Sequence, residues 1–395
     1  MEPTQKKTAW IIVSSLAAVA LYYLAAKVWC LNYNAKSFVK LMLFLGFELM
    51  SLCVYILTGL ARKERASAEG ALKYFILGSF SSAFLLYGVV LIYGACGSLQ
   101  LAEISSRVPA DNLLILTALG LFIFGFGFKV SLAPFHVWTP DVYQGAPAAI
   151  TAFMAAVVKI AAFGAFARVL FGAFLPLASS WIKLLWVLSV LTMLIGNLAA
   201  LRQQSVKRML AYSSIAHAGY VAIGLVSGVQ GSGYASSAFY LLVYSFMTLG
   251  AFGAVLAAQA GSDAQYDRDK IDSLAGLGWS APFIGVVLSI SLLSLAGLPP
   301  LGGFFAKFFV FRTAMESGYT GLVIIAALNS VLGLYYYLRI MVVMYFGRSH
   351  EVRTVSAPKV PAASCVGLAA AGFLVLYLGI SAGHWLEVLG NTLRW

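Results

Sequence analysis

Six charged side chains stand inside or at the lip of apolar stretches long enough to cross a bilayer: Glu48, Lys73, Lys129, Lys159, Lys207 and Lys307. A charge at membrane depth costs about 2.5–3.5 kcal/mol on insertion scales and is kept where it faces protein interior or water. Six such groups read as an ion path. Lys159 lies in the apolar run 153–163, where burial makes its charged form costly and lets it release a proton. His217, amid Tyr212, Ser213, Ser214 and Tyr220, can donate and accept protons near neutral pH, or serve only as a hydrogen-bonded packing residue. His136 either links the path to one surface or caps a helix. Lys207 and Arg208, side by side where a helix begins, read by themselves as a cytoplasmic anchor. His350 and His384 have no polar pattern around them and receive no role.

These groups need helices to hold them. The 395 residues are 61% hydrophobic and 10% charged, the composition of a polytopic membrane protein. Apolar segments of about twenty residues, each matching a ~30 Å hydrocarbon core, predict about eleven transmembrane helices and an all-α fold. The predicted spans are 9–29, 38–60, 70–94, 112–135, 147–170, 181–201, 206–228, 234–259, 281–311, 321–346 and 361–384. The first follows Lys6 and Lys7 but is too long for a signal peptide. The four cysteines are scattered and form no CxxC pair, so no disulfide framework, zinc site or iron–sulfur cluster is expected. No metal site and no glycine-rich phosphate loop is expected either. The net charge of +12 is spread over loops, which fits the positive-inside rule and not nucleic acid. It predicts a cytoplasmic amino terminus and an external carboxyl terminus.

Two helices are interrupted. The fourth runs through Lys129 into Ser131-Leu-Ala-Pro-Phe-His136, and the ninth breaks at Ser294-Leu-Ala-Gly-Leu-Pro-Pro300 and resumes with Lys307. Prolines remove backbone hydrogen bonds, and freed groups at that depth are tolerated only inside protein or beside water. The breaks lie five helices apart, an odd offset that inverts one copy. Two inverted five-helix repeats are therefore predicted, residues 9–171 and 181–347, after a cytoplasmic amino terminus at 1–8 and before a last helix at 361–385. The break regions offer serines, glycines and lysines, with no membrane carboxylate expected close by to hold a metal cation. Protons fit such a path better than sodium.

The stretches 127–147, 207–220 and 294–307, beginning Gly-Phe-Lys-Val-Ser-Leu-Ala-Pro, Lys-Arg-Met-Leu-Ala-Tyr-Ser-Ser and Ser-Leu-Ala-Gly-Leu-Pro-Pro, resemble the N-subunit family of proton-pumping NADH:quinone oxidoreductase, respiratory complex I. The likeness runs from about Ser37 to the last helix. It implies an antiporter-like subunit of a proton translocase in a bacterial inner (plasma) membrane, moving protons without redox chemistry of its own. NADH, FMN, iron–sulfur clusters and quinone are then expected in partner subunits, with no cofactor here. The implied partners are neighbouring antiporter-like and quinone-proximal membrane subunits and the lipid bilayer, with no nucleic acid. The resemblance further implies that Glu48 couples neighbouring subunits and pairs with Lys73. It makes Lys159 the centre of the first path, and adds Lys129, Lys207, His217 and Lys307, with His136 at its edge. Family members of ordinary length carry about three more helices at the amino end, so a natural short form and a misplaced start are both expected readings. Alternatives are a subunit of a multisubunit cation/proton antiporter or membrane-bound hydrogenase, a stand-alone secondary transporter, and a structural remnant.

Overall fold

The computed structural model describes residues 39–108, 112–229, 232–259, 269–347 and 360–392. The predicted first helix and the 1–8 terminus lie outside the described residues. What is described is helical, with eight helices long and apolar enough to cross a membrane and two shorter apolar ones. In chain order the helices of seven residues or more are α1 (Val39–Thr58), α2 (Arg65–Cys96), a short α3 (Leu101–Arg107), α4 (Leu113–Val130), a short α5 (Thr139–Gly145), α6 (Ala148–Gly172) and α7 (Ala178–Leu201). There follow α8 (Val206–Ser227), α9 (Gly233–Gln259), α10 (Pro282–Ala296), α11 (Gly302–Glu316), α12 (Thr320–Phe346), α13 (Ala362–Ile380) and α14 (Ala382–Thr392).

Local chemistry sets several ends. Asn112 caps α4 by accepting from the Leu114 amide at 2.9 Å, and Ser205 caps α8 through the Arg208 amide at 3.3 Å. Gly97 closes α2 in the left-handed conformation, with φ of 65°.

Packing places α8 at the centre. Nearly all of its apolar window is buried, whereas α2 and α13 present two thirds of theirs outward, 33% being buried. Lipid is as apolar as leucine, so helices associate here by close contact and hydrogen bonding rather than by expulsion of water. α7 and α8 show this: Gly196 lies so close to the Ala216 backbone that a side chain would meet it at 2.6 Å, and Ser189 Oγ donates to the Gly219 carbonyl at 2.8 Å. A helix wrapped in protein on every side can carry polar groups that lipid would reject. α8 carries Ser213, Ser214, His217 and Tyr220, all buried.

Both predicted breaks are present. The first occupies residues 131–138 and ends in α5; the second occupies 297–301 and ends in α11. α4 runs toward the face where Asp141 meets Arg208 at the start of α8, while α10 leaves that same face, where Lys270 pairs with Ser205. The broken helices thus run in opposite senses.

Candidate functional site

Lys159 stands on α6 immediately after a five-residue π-helical turn, Met154–Val158. Such turns displace the following residue and recur at functional positions. The Lys159 ammonium is buried and donates to the Ser214 carbonyl at 2.7 Å and to Ser214 Oγ at 2.5 Å, with the Tyr244 ring 5.6 Å away. Among the described residues no carboxylate balances it; α8 and an aromatic face do.

One turn further along α8, His217 is held at both ring nitrogens. Tyr240 meets Nδ1 at 2.7 Å and Tyr337 meets Nε2 at 3.1 Å. The Tyr337 hydroxyl also hydrogen-bonds Ser213 Oγ. Beside it, Tyr336 donates to Asn197 Oδ1 at 3.0 Å, and Asn197 reaches Tyr220 at 3.4 Å and Asn329 at 3.3 Å. The Lys307 ammonium lies 5.1 Å from the Tyr220 ring centre. It donates to the Ala296 and Leu295 carbonyls at 2.9 and 3.2 Å, the free ends of α10, and to Ser330 Oγ at 2.9 Å. Buried polar groups therefore follow one another from Lys159 past His217 to Lys307 across α6, α8, α9, α12 and α11, in separate hydrogen-bonded clusters.

The first half is arranged differently from the sequence expectation. Glu48 does not pair with Lys73. Its carboxylate lies 3.7 Å from the Lys129 ammonium and accepts from Ser82 Oγ. Lys73 precedes Ser82 on α2 by nine residues, about 13 Å at ~1.5 Å per residue, which puts it out of reach. Lys73 instead sits near one membrane face, 43% exposed, bonded at 2.8 Å to both Glu69 and Asp141. Lys129 donates to Ser51 Oγ at 2.5 Å and Tyr55 at 3.4 Å, and among the described residues it makes no hydrogen bond to the carbonyls of its break. Nor is the first break without a nearby membrane carboxylate, since Glu48 is there, but the Lys129 ammonium occupies the place of a cation beside it. Among the described residues no group of three or more His, Cys, Asp or Glu side chains is arranged to hold a metal.

Lys207 stays at the mouth of α8, 3.5 Å from Asp269 and away from the buried line. His136 lies in the first break, half-buried, with its Nδ1 facing no hydrogen-bond partner among the described residues. His384 is exposed on α14, and His350 lies outside the described residues. Asp141 was not singled out in the sequence. It bridges α2 and α8 by bonding Lys73 at 2.8 Å and Arg208 at 2.6 Å. Burial pushes its carboxyl up, but those two cations outweigh burial and hold it below the usual carboxylate range. Tyr240, Tyr336, Tyr337, Ser330 and Asn197 are not marked by the sequence either, whereas Ser213, Ser214 and Tyr220 are named there only as neighbours of His217. The polar residues in the Lys207–Tyr220 stretch were the one available signal.

Comparison with known proteins bears on the family and the fold. Residues 39–333 match the family described as NADH:quinone oxidoreductase/Mrp antiporter, transmembrane. NADH-quinone oxidoreductase subunit N of Trichlorobacter lovleyi is 45% identical over 337 residues, 84% of this chain and 68% of that protein. A chain of respiratory complex I from Thermus thermophilus superposes with a TM-score of 0.75 at 40% identity, covering 88% of this chain and 75% of its own. A chain of an archaeal membrane-bound sulfane sulfur reductase superposes with a TM-score of 0.77 at 29% identity, covering 88% and 70%.

Proposed function

The chain belongs to the NADH:quinone oxidoreductase/Mrp antiporter transmembrane family, and we propose that it works as the antiporter-like subunit N of a proton-translocating NADH:quinone oxidoreductase, embedded among that complex's other membrane subunits. It carries protons and no electrons. NADH, FMN, iron–sulfur clusters and quinone belong in this reading to partner subunits. The observation that carries the reading is the buried line from Lys159 through His217 to Lys307, set inside a bundle of membrane-spanning helices.

Among the described residues, each ammonium on that line is held by neutral groups: hydroxyls, carbonyls and aromatic faces. Such partners favour the charged form modestly, so a change of field nearby can tip either lysine between holding and releasing its proton. Glu48 and Lys129 supply such a field at the other end, as a close charge pair whose separation changes the potential felt by Lys159. Lys207 with Asp269, and Lys73 with Asp141, stand at the face where protons enter. That face also carries Arg62, Lys63, Arg65, Arg202 and Lys270, which supports placing it in the cytoplasm by the positive-inside rule.

The test compares wild type with Lys159→Ala in membrane vesicles, with assembly followed on a native gel. An assembled mutant is expected to lose proton uptake and coupled quinone reduction, by roughly 10²-fold, as for loss of a proton-transfer group. Full pumping in an assembled Lys159→Ala complex would leave the chain as a structural subunit.

A further inference from the structure

Tyr337 bridges two polar side chains of α8, Ser213 and His217. Its hydroxyl bonds Ser213 Oγ on one side and His217 Nε2, at 3.1 Å, on the other. Ser213 is the chain neighbour of Ser214, which holds Lys159. Tyr337 and Tyr240 clamp the histidine from α12 and α9, and both tyrosines are fully buried.

A neutral imidazole has one donating and one accepting nitrogen, and a hydroxyl can do both. Two patterns therefore satisfy the same atoms. In one, Tyr240 donates to Nδ1, Nε2–H donates to Tyr337, and Tyr337 donates to Ser213. In the other every bond points the opposite way. Because no partner is lost in either, the two patterns lie close in free energy, and exchange between them displaces a proton along the row.

We propose that Tyr337 is the hydroxyl relay that passes protons between Ser213 and His217, one link of the path on the His217 side of Lys159. This rests on the proton-path reading above. In one passage Tyr240 gives its proton to Nδ1, Nε2 gives its proton to the Tyr337 oxygen, and Tyr337 gives its own to Ser213. Water restores Tyr240 and water receives the proton from Ser213. Each O–H or N–H bond broken is matched by one formed, and no electron is exchanged.

Tyr337→Phe removes the hydroxyl and keeps the ring. The experiment uses the whole complex in vesicles and compares wild type, Tyr337→Phe, Lys159→Ala and Tyr335→Phe. Tyr335 is the outward-facing neighbour, 63% exposed, and serves as control. Assembled Tyr337→Phe is expected to lose proton pumping on the order of tenfold, less than a full loss because water can stand in for the hydroxyl. The solvent deuterium isotope effect on coupled turnover should rise, which a packing defect alone would not produce. If Tyr337→Phe fails to assemble, Ser213→Ala removes the other end of the bridge and is read in the same way. Wild-type pumping and isotope effect in the assembled variant, with Lys159→Ala inactive, would overturn the relay. Wild-type pumping in all three variants would overturn the proton-path reading itself.

Discussion

The two helix breaks carry similar words, Ser131-Leu-Ala-Pro and Ser294-Leu-Ala-Gly-Leu-Pro, yet satisfy their freed backbone in opposite ways. At the first, the Phe128 carbonyl accepts from the Trp138 indole at 3.0 Å and the Ala133 amide donates to Thr192 at 2.8 Å. Its lysine, Lys129, turns away to a carboxylate. At the second, the lysine itself caps the helix: Lys307 holds the Leu295 and Ala296 carbonyls. The first break is therefore a fixed support beside a charge pair. The second is a polar end whose satisfaction depends on one titratable group. A proton reaching or leaving Lys307 changes the break; one reaching or leaving Lys129 changes the pair with Glu48.

This contrast can be broken most sharply at its glycines. In α11, Gly303 lies against the Ser294 carbonyl, and an added Cβ would collide with backbone that has nowhere to go. At Gly127, beside the first break, the obstacle is the rim of the half-buried Phe135 ring, which can swing aside. Gly303→Ala is expected to destabilise the subunit by about 3 kcal/mol and Gly127→Ala by about 1 kcal/mol, the spread usual for overpacking. Thermal unfolding of the detergent-solubilised complex measures both, and equal effects would remove the distinction drawn between the breaks.

Replacing the lysines is the next largest change. Lys307→Met leaves two buried carbonyls without their shared donor, at about 1–3 kcal/mol for an unsatisfied group, and is expected to loosen the second break. Glu48→Gln keeps a hydrogen-bond acceptor for Ser82 and should leave fold stability closer to wild type while lowering pumping. Hydrogen exchange across residues 294–303, measured in each mutant, should quicken in Lys307→Met alone.

Asp141 gives a smaller, pH-dependent effect. Its folded-state carboxyl titrates below the ordinary range, so the stability from Lys73 and Arg208 is present above the unfolded value of about 3.9 and lost as pH falls through the lower folded value. Melting temperature from pH 5 to 8 should show no pH dependence from this group, whose stabilisation is then fully present, with a decline below about pH 4 that Asp141→Asn abolishes. The smallest effect belongs to Lys183, exposed near the start of α7. Lys183→Ala should pump like wild type, and a deficit would mean that α7 is rotated from the position described.

Much of this was legible in the chain. The all-helical membrane class, both breaks, and the burial of Lys129, Lys159, His217 and Lys307 follow from apolar runs interrupted by charge and proline. Partner choice was not legible, because it depends on depth along neighbouring helices. Lys73 looks equivalent to its fellows in the sequence, but it lies in the first third of a long helix, toward the membrane face, and meets Asp141, while Glu48 is deeper and meets Lys129. Tyr337 is the third of three consecutive tyrosines with nothing local to distinguish it; helical rotation buries Tyr336 and Tyr337 and turns Tyr335 outward.

The sequence by itself determined which residues must be hidden from lipid, since a charge in hydrocarbon is costly wherever it falls along the chain. Only the tertiary structure decided which hidden groups touch. Hydrogen bonds act over about 3 Å, and that distance is set by how α6, α8, α9, α11 and α12 pack, not by spacing along any one of them.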